Sequence, residues 1–220
     1  DHAGFLPVSI NDTSQNTIGN IFQIAGGKVY LQSVNGFYIF DSAHNNFRPV
    51  DFGISNLKIN TQLFTYYNHT IFFIAGESVY SFDPDNNKLK NLPVKSIFSM
   101  EAISDDKLLL SDWDYVTSEY NFKTSVISRI DISHFLSRQS DSFFYIHHAV
   151  KLDTDHYIVS SLKGLLEFNT GTGSFKPMHL FYRGRPLNVE RAYAMYKDSD
   201  ETIWIGYDGG ILFFSAKERN

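Results

Sequence analysis

Along the chain, apolar and polar residues alternate in short runs, and each run is closed by Gly, Asn, Asp or Pro. A period of two is the mark of a strand with one face buried, and closely spaced turn residues join such strands into hairpins. The stretch "GFYIFDSAHNNFRP" (residues 36–49) reads as strand, polar turn, strand. It recurs loosely as "SVYSFDPDNNKLKNLP" (78–93) and as "GLLEFNTGTGSFKP" (164–177). The 20 Phe and 13 Tyr, spread among Val, Ile and Thr, favour the same local structure.

Anchoring each unit on the residue before its last turn gives Phe40, Phe82, Ile130, Phe168 and Phe214, which by subtraction lie 42, 48, 38 and 46 residues apart. A period of about 40–50 residues is that of a four-stranded propeller blade. The first unit divides into "NIFQIA", "KVYLQS", "FYIFD" and "FRPVD", and the second into "LFTYY", "TIFFIA", "VYSFD" and "KLKNLP". The fourth divides into "HHAVKL", "HYIVSS", "GLLEFN" and "SFKPMHL". The third is less regular: "IFSMEAI", "KLLLSDWDYV", "SVISRIDIS", then "SFFYI" or a short helix around "SHFLSRQ". The fifth ends after "AYAMYKD", "TIWIGY" and "ILFFSA". The expected fold is therefore all-β, a β-propeller of four-stranded antiparallel blades forming a single domain over residues 1–220.

The N-terminal "GFLPVSI" (4–10) carries Phe5-Leu6-Pro7, which matches Phe47-Arg48-Pro49 and Phe175-Lys176-Pro177 on the strands assigned as outermost. Proline suits an outer strand, where one ladder donor can be spared. The pattern predicts five blades, with the N-terminal strand pairing with residues 211–216 to close the last blade and cover its edge. The alternative is that this strand belongs to a preceding blade of a longer array, leaving the ring open.

Composition narrows the function classes. With 19 basic and 24 acidic residues, a formal charge of −5 and no run of one sign, the chain lacks the basic surface of a general nucleic-acid or anionic-membrane binder. It has no cysteine, which removes disulfides, cysteine nucleophiles and thiolate metal sites. It starts at Asp1 and contains no apolar run near the ~20 residues of a membrane helix, as expected of a processed or excised chain. His147 and His148, with His134 and His156, invite a metal reading. Adjacent residues on a strand point to opposite faces, however, so no metal and no cofactor is expected. There is no Gly-x-Ser-x-Gly elbow, and "NTGTGSF" reads as a blade turn rather than a phosphate cradle.

Two stretches carry candidate chemistry. In "SDWDYVTSEYNF" (111–122), Asp112 and Asp114 lie two apart and would share a strand face, an arrangement open to glycosidase chemistry. Trp113, Tyr115 and Tyr120 beside acids suit a sugar, whose C–H face stacks on rings while its hydroxyls bond to carboxylates. The plainer alternative is an elaborated hairpin with Trp113 packed between blades. In "YRGRPLNVER" (182–191), read as a linker between the fourth and fifth blades, Arg183, Arg185 and Arg191 could bind an anionic group; solvated charges or a partner contact fit equally.

The run "LNVERAYAMYKDSDETIWIGYDGGILFFSA" resembles the two-component regulator propeller repeat of the periplasmic sensor regions of bacterial hybrid histidine kinases. Asn188-Val189, Asp198, Ile203-Trp204-Ile205-Gly206 and Gly209-Gly210-Ile211 stand at that repeat's positions. Tyr207 replaces the usual Thr, and the other four units keep only the hydrophobic skeleton. Structural roles are expected for this motif: Trp204 to wedge between blades, and Gly206, Gly209 and Gly210 to permit close approaches and backbone conformations that a Cβ obstructs. The resemblance implies a non-catalytic sensing or interaction propeller, in the periplasm and joined to a membrane only through parts of a longer protein. It also implies an oligosaccharide ligand and a readout through a homodimer. Two other readings stand beside it: a propeller hydrolase or lyase acting on glycans through Asp112, Asp114 or Glu119, and a pure protein-interaction scaffold.

Overall fold

The structure is a computed structural model that describes residues 9–10, 18–54, 57–67, 69–104, 106–114, 116–132, 146–161 and 164–216. Its described strands are almost all gathered into antiparallel meanders of the β-propeller class, one for each of the five sequence units. Two compact units divide the chain, Asp1–Lys95 and Ser96–Asn220.

In the first unit, β1 (Ser9–Ile10) precedes blade one, which comprises β2 (Ile18–Gln23), β3 (Val29–Ser33), β4 (Gly36–Asp41) and β5 (Asn46–Pro49). Blade two comprises β6 (Ile59–Tyr67), β7 (Thr70–Ala75), β8 (Ser78–Asp83) and β9 (Lys88–Lys95). Phe22, Tyr30 and Phe37 of blade one pack with Ile71, Phe73 and Phe82 of blade two, and the Phe37 and Phe73 rings meet edge to face at 5.0 Å.

The second unit holds blade three, with β10 (Ile97–Ala102), β11 (Lys107–Asp112), β12 (Thr117–Asn121) and β13 (Val126–Arg129). Blade four follows, with β14 (Ile146–Lys151), β15 (His156–Ser161), β16 (Gly164–Asn169) and β17 (Ser174–Pro177). A hairpin of β18 (Leu180–Tyr182) and β19 (Arg185–Leu187) leads to blade five, with β20 (Ala192–Lys197), β21 (Thr202–Tyr207) and β22 (Gly210–Ser215). Blades three and four share a core of Ile103, Leu109, Ile146, Tyr157, Val159 and Phe168. Val150, Leu152, Ile158 and Leu165 of blade four do the same with Ile203 and Ile205 of blade five.

The second strands β7, β11 and β15 are buried almost end to end, because blade faces cover both their sides. That is why "IFFIA" and "LLLS" read as continuous apolar runs. At about 25 cal/mol per Å², each fully buried Phe, Leu or Ile contributes roughly 1.5–3 kcal/mol relative to exposure.

Turn chemistry repeats with equal regularity. Each third strand of blades one to four ends on Asp41, Asp83, Asn121 or Asn169, whose side chain accepts backbone N–H groups of the following turn at 2.9–3.2 Å. Four residues later comes a left-handed residue: Asn45 (φ 49°), Asn87 (φ 48°), Ser125 (φ 59°) or Gly173 (φ 65°). A short polar side chain or none at all is what that conformation tolerates.

Four sequence expectations change. In blade three the third strand is Thr117–Asn121 and the fourth Val126–Arg129, one strand earlier than the reading "SVISRIDIS" then "SFFYI". The residue equivalent to Phe40, Phe82, Phe168 and Phe214 is therefore Tyr120, not Ile130. The stretch around "SHFLSRQ" lies outside the described residues. Residues 182–191, expected as a linker, are largely hairpin. Closure of blade five by residues 4–10 is corrected for the part described: Ser9 and Ile10 run parallel to β5, opposite Asn46 and Phe47, while Phe5-Leu6-Pro7 lie outside the described residues. Trp204, expected as a wedge between blades, sits on the face of blade five opposite its shared core and is 40% exposed.

Candidate ligand site

Four inner strands share a local irregularity that alternation alone conceals. Ile97 pairs with Asp112 and Ser99 with Ser111, so Phe98 is an extra residue on β10. His147 is the extra residue on β14, between Ile146 and His148, and Tyr193 on β20, between Ala192 and Ala194. Gly19 holds the same place on β2. Such a β-bulge bends the strand and re-aims a side chain. Here it places Phe98, His147 and Tyr193 in turn at one end of three neighbouring strands, beside the turns that join each second strand to its third.

The β14 and β20 bulges are held by hydroxyls from the preceding blade. Ser160 Oγ donates to the Ala192 carbonyl at 3.2 Å and accepts the Ala192 N–H at 3.3 Å. Ser111 Oγ accepts the Ile146 N–H at 3.4 Å, and Ser99 Oγ donates to the Ile146 carbonyl. Ser111 and Ser160 are fully buried, so these bonds satisfy backbone groups that water does not reach.

Around the bulges lies a connected set of polar and aromatic groups. His148 Nδ1 is 3.3 Å from Glu101 Oε1, and His148 also hydrogen-bonds to the Tyr193 backbone. The Tyr193 hydroxyl donates to Asp208, in the turn between β21 and β22, and this bond raises the phenol pKa. The Arg191 guanidinium lies over the Tyr193 ring, 5.2 Å from its centroid. Burial, then the positive charges of Arg191 and His148, push the His147 pKa down to about 4, so its imidazole is neutral at pH 7. Burial also opposes a charge on His148, but the Glu101 carboxylate and the Tyr193 backbone outweigh it and the pKa rises. On blade three, Trp113 is 66% exposed and its ring centroid lies 5.2 Å from that of Phe98.

The residues singled out by sequence separate into distinct roles. Trp113 is at the surface as a platform requires, and its backbone N–H donates to the Ser96 carbonyl at 3.2 Å. Asp112 Oδ1 accepts the N–H groups of Asp114 and Val116, both at 2.9 Å, so it shapes the turn. Asp114 is exposed within that turn rather than on the strand, and the expected shared face of the two carboxylates is not formed. Tyr115 lies outside the described residues. Tyr120 is fully buried as the core anchor of blade three and cannot serve as a platform. Glu119 pairs with Lys107 at 2.8 Å. Arg183, at the tip of the hairpin, lies over Tyr182 at 5.3 Å, and Arg185 is exposed on β19. Of the three arginines, Arg191 is the one that touches a bulged residue among those described, through the Tyr193 ring.

Among the motif glycines, a Cβ at Gly209 would come within 2.5 Å of the Tyr207 ring, and Gly210 has φ 126°. At Gly206 the nearest atoms would be in ordinary contact at 4.0 Å, so the expected close approach is absent there. His156 bonds to Asp153 and, through Asn169, to its own blade, and His134 lies outside the described residues. Phe98, Glu101, Tyr193 and Asp208 were missed by sequence reading, and His147 was weighed only as a metal ligand. The recoverable signal was an apolar residue, a large side chain and then Ser, His or Ala at the start of an inner strand, facing Ser-Asp, Ser-Ser or Gly-Tyr at the end of the next.

No protein-family model and no curated protein matches the chain. Solved structures do. The extracellular domain ascribed to the hybrid two component system BT3049 of B. thetaiotaomicron matches over 94% of this chain and 30% of its own, at 14% identity and a TM-score of 0.60. That ascribed to BT4673 of the same organism matches over 94% and 39%, at 11% identity and a TM-score of 0.51. The β-propeller domain of Swd1 from Myceliophthora thermophila matches over 92% and 68%, at 12% identity and a TM-score of 0.61. The chain thus spans about a third of the two bacterial domains, and what it shares with all three proteins is the β-propeller fold.

Proposed function

We propose that this chain is a non-catalytic ligand-sensing propeller module of a hybrid two-component sensor, exposed outside the cytoplasmic membrane and responding to oligosaccharides. The observation that carries the reading is the constellation at the ends of β10, β14 and β20. Blades three and five there present the exposed rings of Trp113 and Tyr193, with half-buried His147 on the blade between and the Arg191 guanidinium over Tyr193, a composition that suits polyhydroxylated ligands held by stacking and directed bonds. The carboxylates of the enzyme alternative point the other way: Asp112 is spent on a turn, Glu119 on Lys107, and Asp114 is exposed within the turn that Asp112 shapes. The bacterial extracellular domains of similar fold support the sensor setting. In the described residues no helix is long and apolar enough to cross a membrane, so an anchor would belong to other parts of the protein.

Calorimetric titration of the chain with neutral and acidic oligosaccharides tests the reading. Saturable heat from at least one sugar is expected, with loss of that heat in Trp113→Ala. Turnover of a glycan without a stable complex would restore the enzyme alternative. The same reading expects a homodimer, which light scattering with and without bound sugar checks.

A further inference from the structure

We infer that the outer edge of β22 is a docking groove for an extended segment of another protein, with the pattern aromatic, apolar, Pro. This site is additional to the sensing one and does not depend on it.

The fourth strands of other blades supply the template. In blade four, β17 sets Phe175 opposite Phe168, Lys176 opposite Glu167 and Pro177 opposite Leu166. In blade one, β5 sets Phe47, Arg48 and Pro49 opposite Phe40, Ile39 and Tyr38. The paired rings stand 4.5 and 5.3 Å apart. The residue after each Pro donates its N–H to the third strand, Met178 to the Leu165 carbonyl at 2.9 Å and Val50 to the Phe37 carbonyl at 2.8 Å. Among the described strands, β22 pairs with β21 alone. By that pairing, Phe214, Phe213 and Leu212 hold the places of Phe168, Glu167 and Leu166, and the Ile211 carbonyl that of Leu165.

A groove occupies the place of the missing strand. Its volume is about 980 Å³, and it is lined by Phe213, Phe214 and Ser215 of β22 and by Lys176, Met178 and Phe181 of the β17–β18 segment. Successive residues of a strand point to opposite faces, so a cavity lined by three in a row lies along the strand's edge. Phe168 is fully buried beneath Phe175, whereas Phe214 is only partly covered, beside the core that Met178 also borders. An aromatic side chain opposite Phe214 completes that packing.

The middle position sets blade five apart. Lys176 pairs with Glu167 at 2.8 Å, and Glu167 is 5% exposed; in its place Phe213 is 65% exposed. A basic residue meets no carboxylate there, while an apolar one covers the ring. Pro fits the next position, as it does on β5 and β17. Strand addition of this kind draws affinity from main-chain bonds and selectivity from alternate side chains. Ser9 and Ile10 of the N-terminal segment are committed to β5, which leaves the groove to a segment from another protein.

Fluorescence anisotropy on the whole chain tests this with a labelled peptide, Gly-Ser-Phe-Val-Pro-Thr-Gly. Saturable binding is expected. Phe→Ala in the peptide should weaken it at least about tenfold, and N-methylation of the Thr amide, which removes the donor to the Ile211 carbonyl, should weaken it several-fold. Val→Lys in the peptide should weaken binding to the chain but strengthen binding to Phe213→Glu, which sets a carboxylate where Glu167 stands in blade four. Phe213 is exposed, so unchanged thermal unfolding of the variant confirms that the fold is intact. Absence of binding, binding that Phe→Ala leaves unchanged, or a Lys preference that Phe213→Glu fails to produce overturns the inference. Binding that emerges only once residues 1–8 are deleted assigns the groove to the chain's own Phe5-Leu6-Pro7 and overturns the partner equally. None of these outcomes bears on sugar binding, so the sensing reading stands or falls separately.

Discussion

Two adjacent histidines on one strand respond to pH in opposite directions. For His147 the folded pKa is depressed to about 4 from 6.5, so the unfolded chain binds the proton first and stability is lost as pH falls between those values. Between pH 7.5 and pH 5 the linkage is at most about 2 kcal/mol, and solvent screening of a half-buried ring lowers it. For His148 the folded pKa is raised, so its contribution is fully present below the unfolded value and disappears as pH rises through the folded one. His147→Gln should therefore lessen the fall in melting temperature from pH 7.5 to 5, by no more than about 4–8 °C. His148→Gln should deepen it, and scanning calorimetry at the two pH values separates the cases. Tyr120 supplies a second test. Its buried hydroxyl has no hydrogen-bond partner among the described residues, so Tyr120→Phe should be neutral or stabilise by up to about 1 kcal/mol. Tyr120→Ala should cost about 3–5 kcal/mol in denaturant unfolding. The sequence could not separate Tyr120 from Trp113. Both are aromatic residues beside acids, and which one is buried depends on where the strand begins.

Strands and blades were legible because burial of both faces or of one face leaves different periods in the chain. The continuous runs of β7, β11 and β15 and the Asp/Asn turns with a left-handed residue four places on are direct imprints of packing and backbone geometry. Bulges leave no such imprint, since one extra residue merely resembles a break in alternation. Blade three was misdivided because "KLLLSDWDYV" was read as one strand, whereas the strand ends at Asp112 and the chain turns at Trp113 and Asp114. The bulge clasps nonetheless have a measurable worth. Ser160→Ala would leave the N–H and carbonyl of Ala192 buried without their partner, at a cost of about 1–3 kcal/mol by chemical denaturation. The row Tyr196, Trp204 and Phe213 lies in register across β20, β21 and β22, and these side chains are 64%, 40% and 65% exposed. Phe213→Ser should cost under about 1 kcal/mol, whereas Phe168→Ala, fully buried one blade earlier, should cost about 3–5.

At the scale of the whole chain, each compact unit has a core of its own. Asp1–Lys95 is built around Ile71, Phe73 and Phe82, and Ser96–Asn220 around two clusters that share blade four. The five-unit repeat was visible in sequence, but the division between the second and third units was not. Repeats that each bury apolar faces against a neighbour look alike wherever a cooperative boundary falls. Folding units defined by their own cores open with their own free energies. Calorimetric unfolding should therefore exceed a single two-state transition, with a calorimetric enthalpy above the van't Hoff value. Phe73→Ala, deleting a fully buried ring of the first unit, should lower only the transition of that unit; Ile158→Ala, fully buried in blade four, should lower only the other. Trp113 belongs to the second unit, so a sugar bound there should raise the second transition by mass action. Coincident shifts of all transitions in both variants would show that the five blades unfold as one cooperative body.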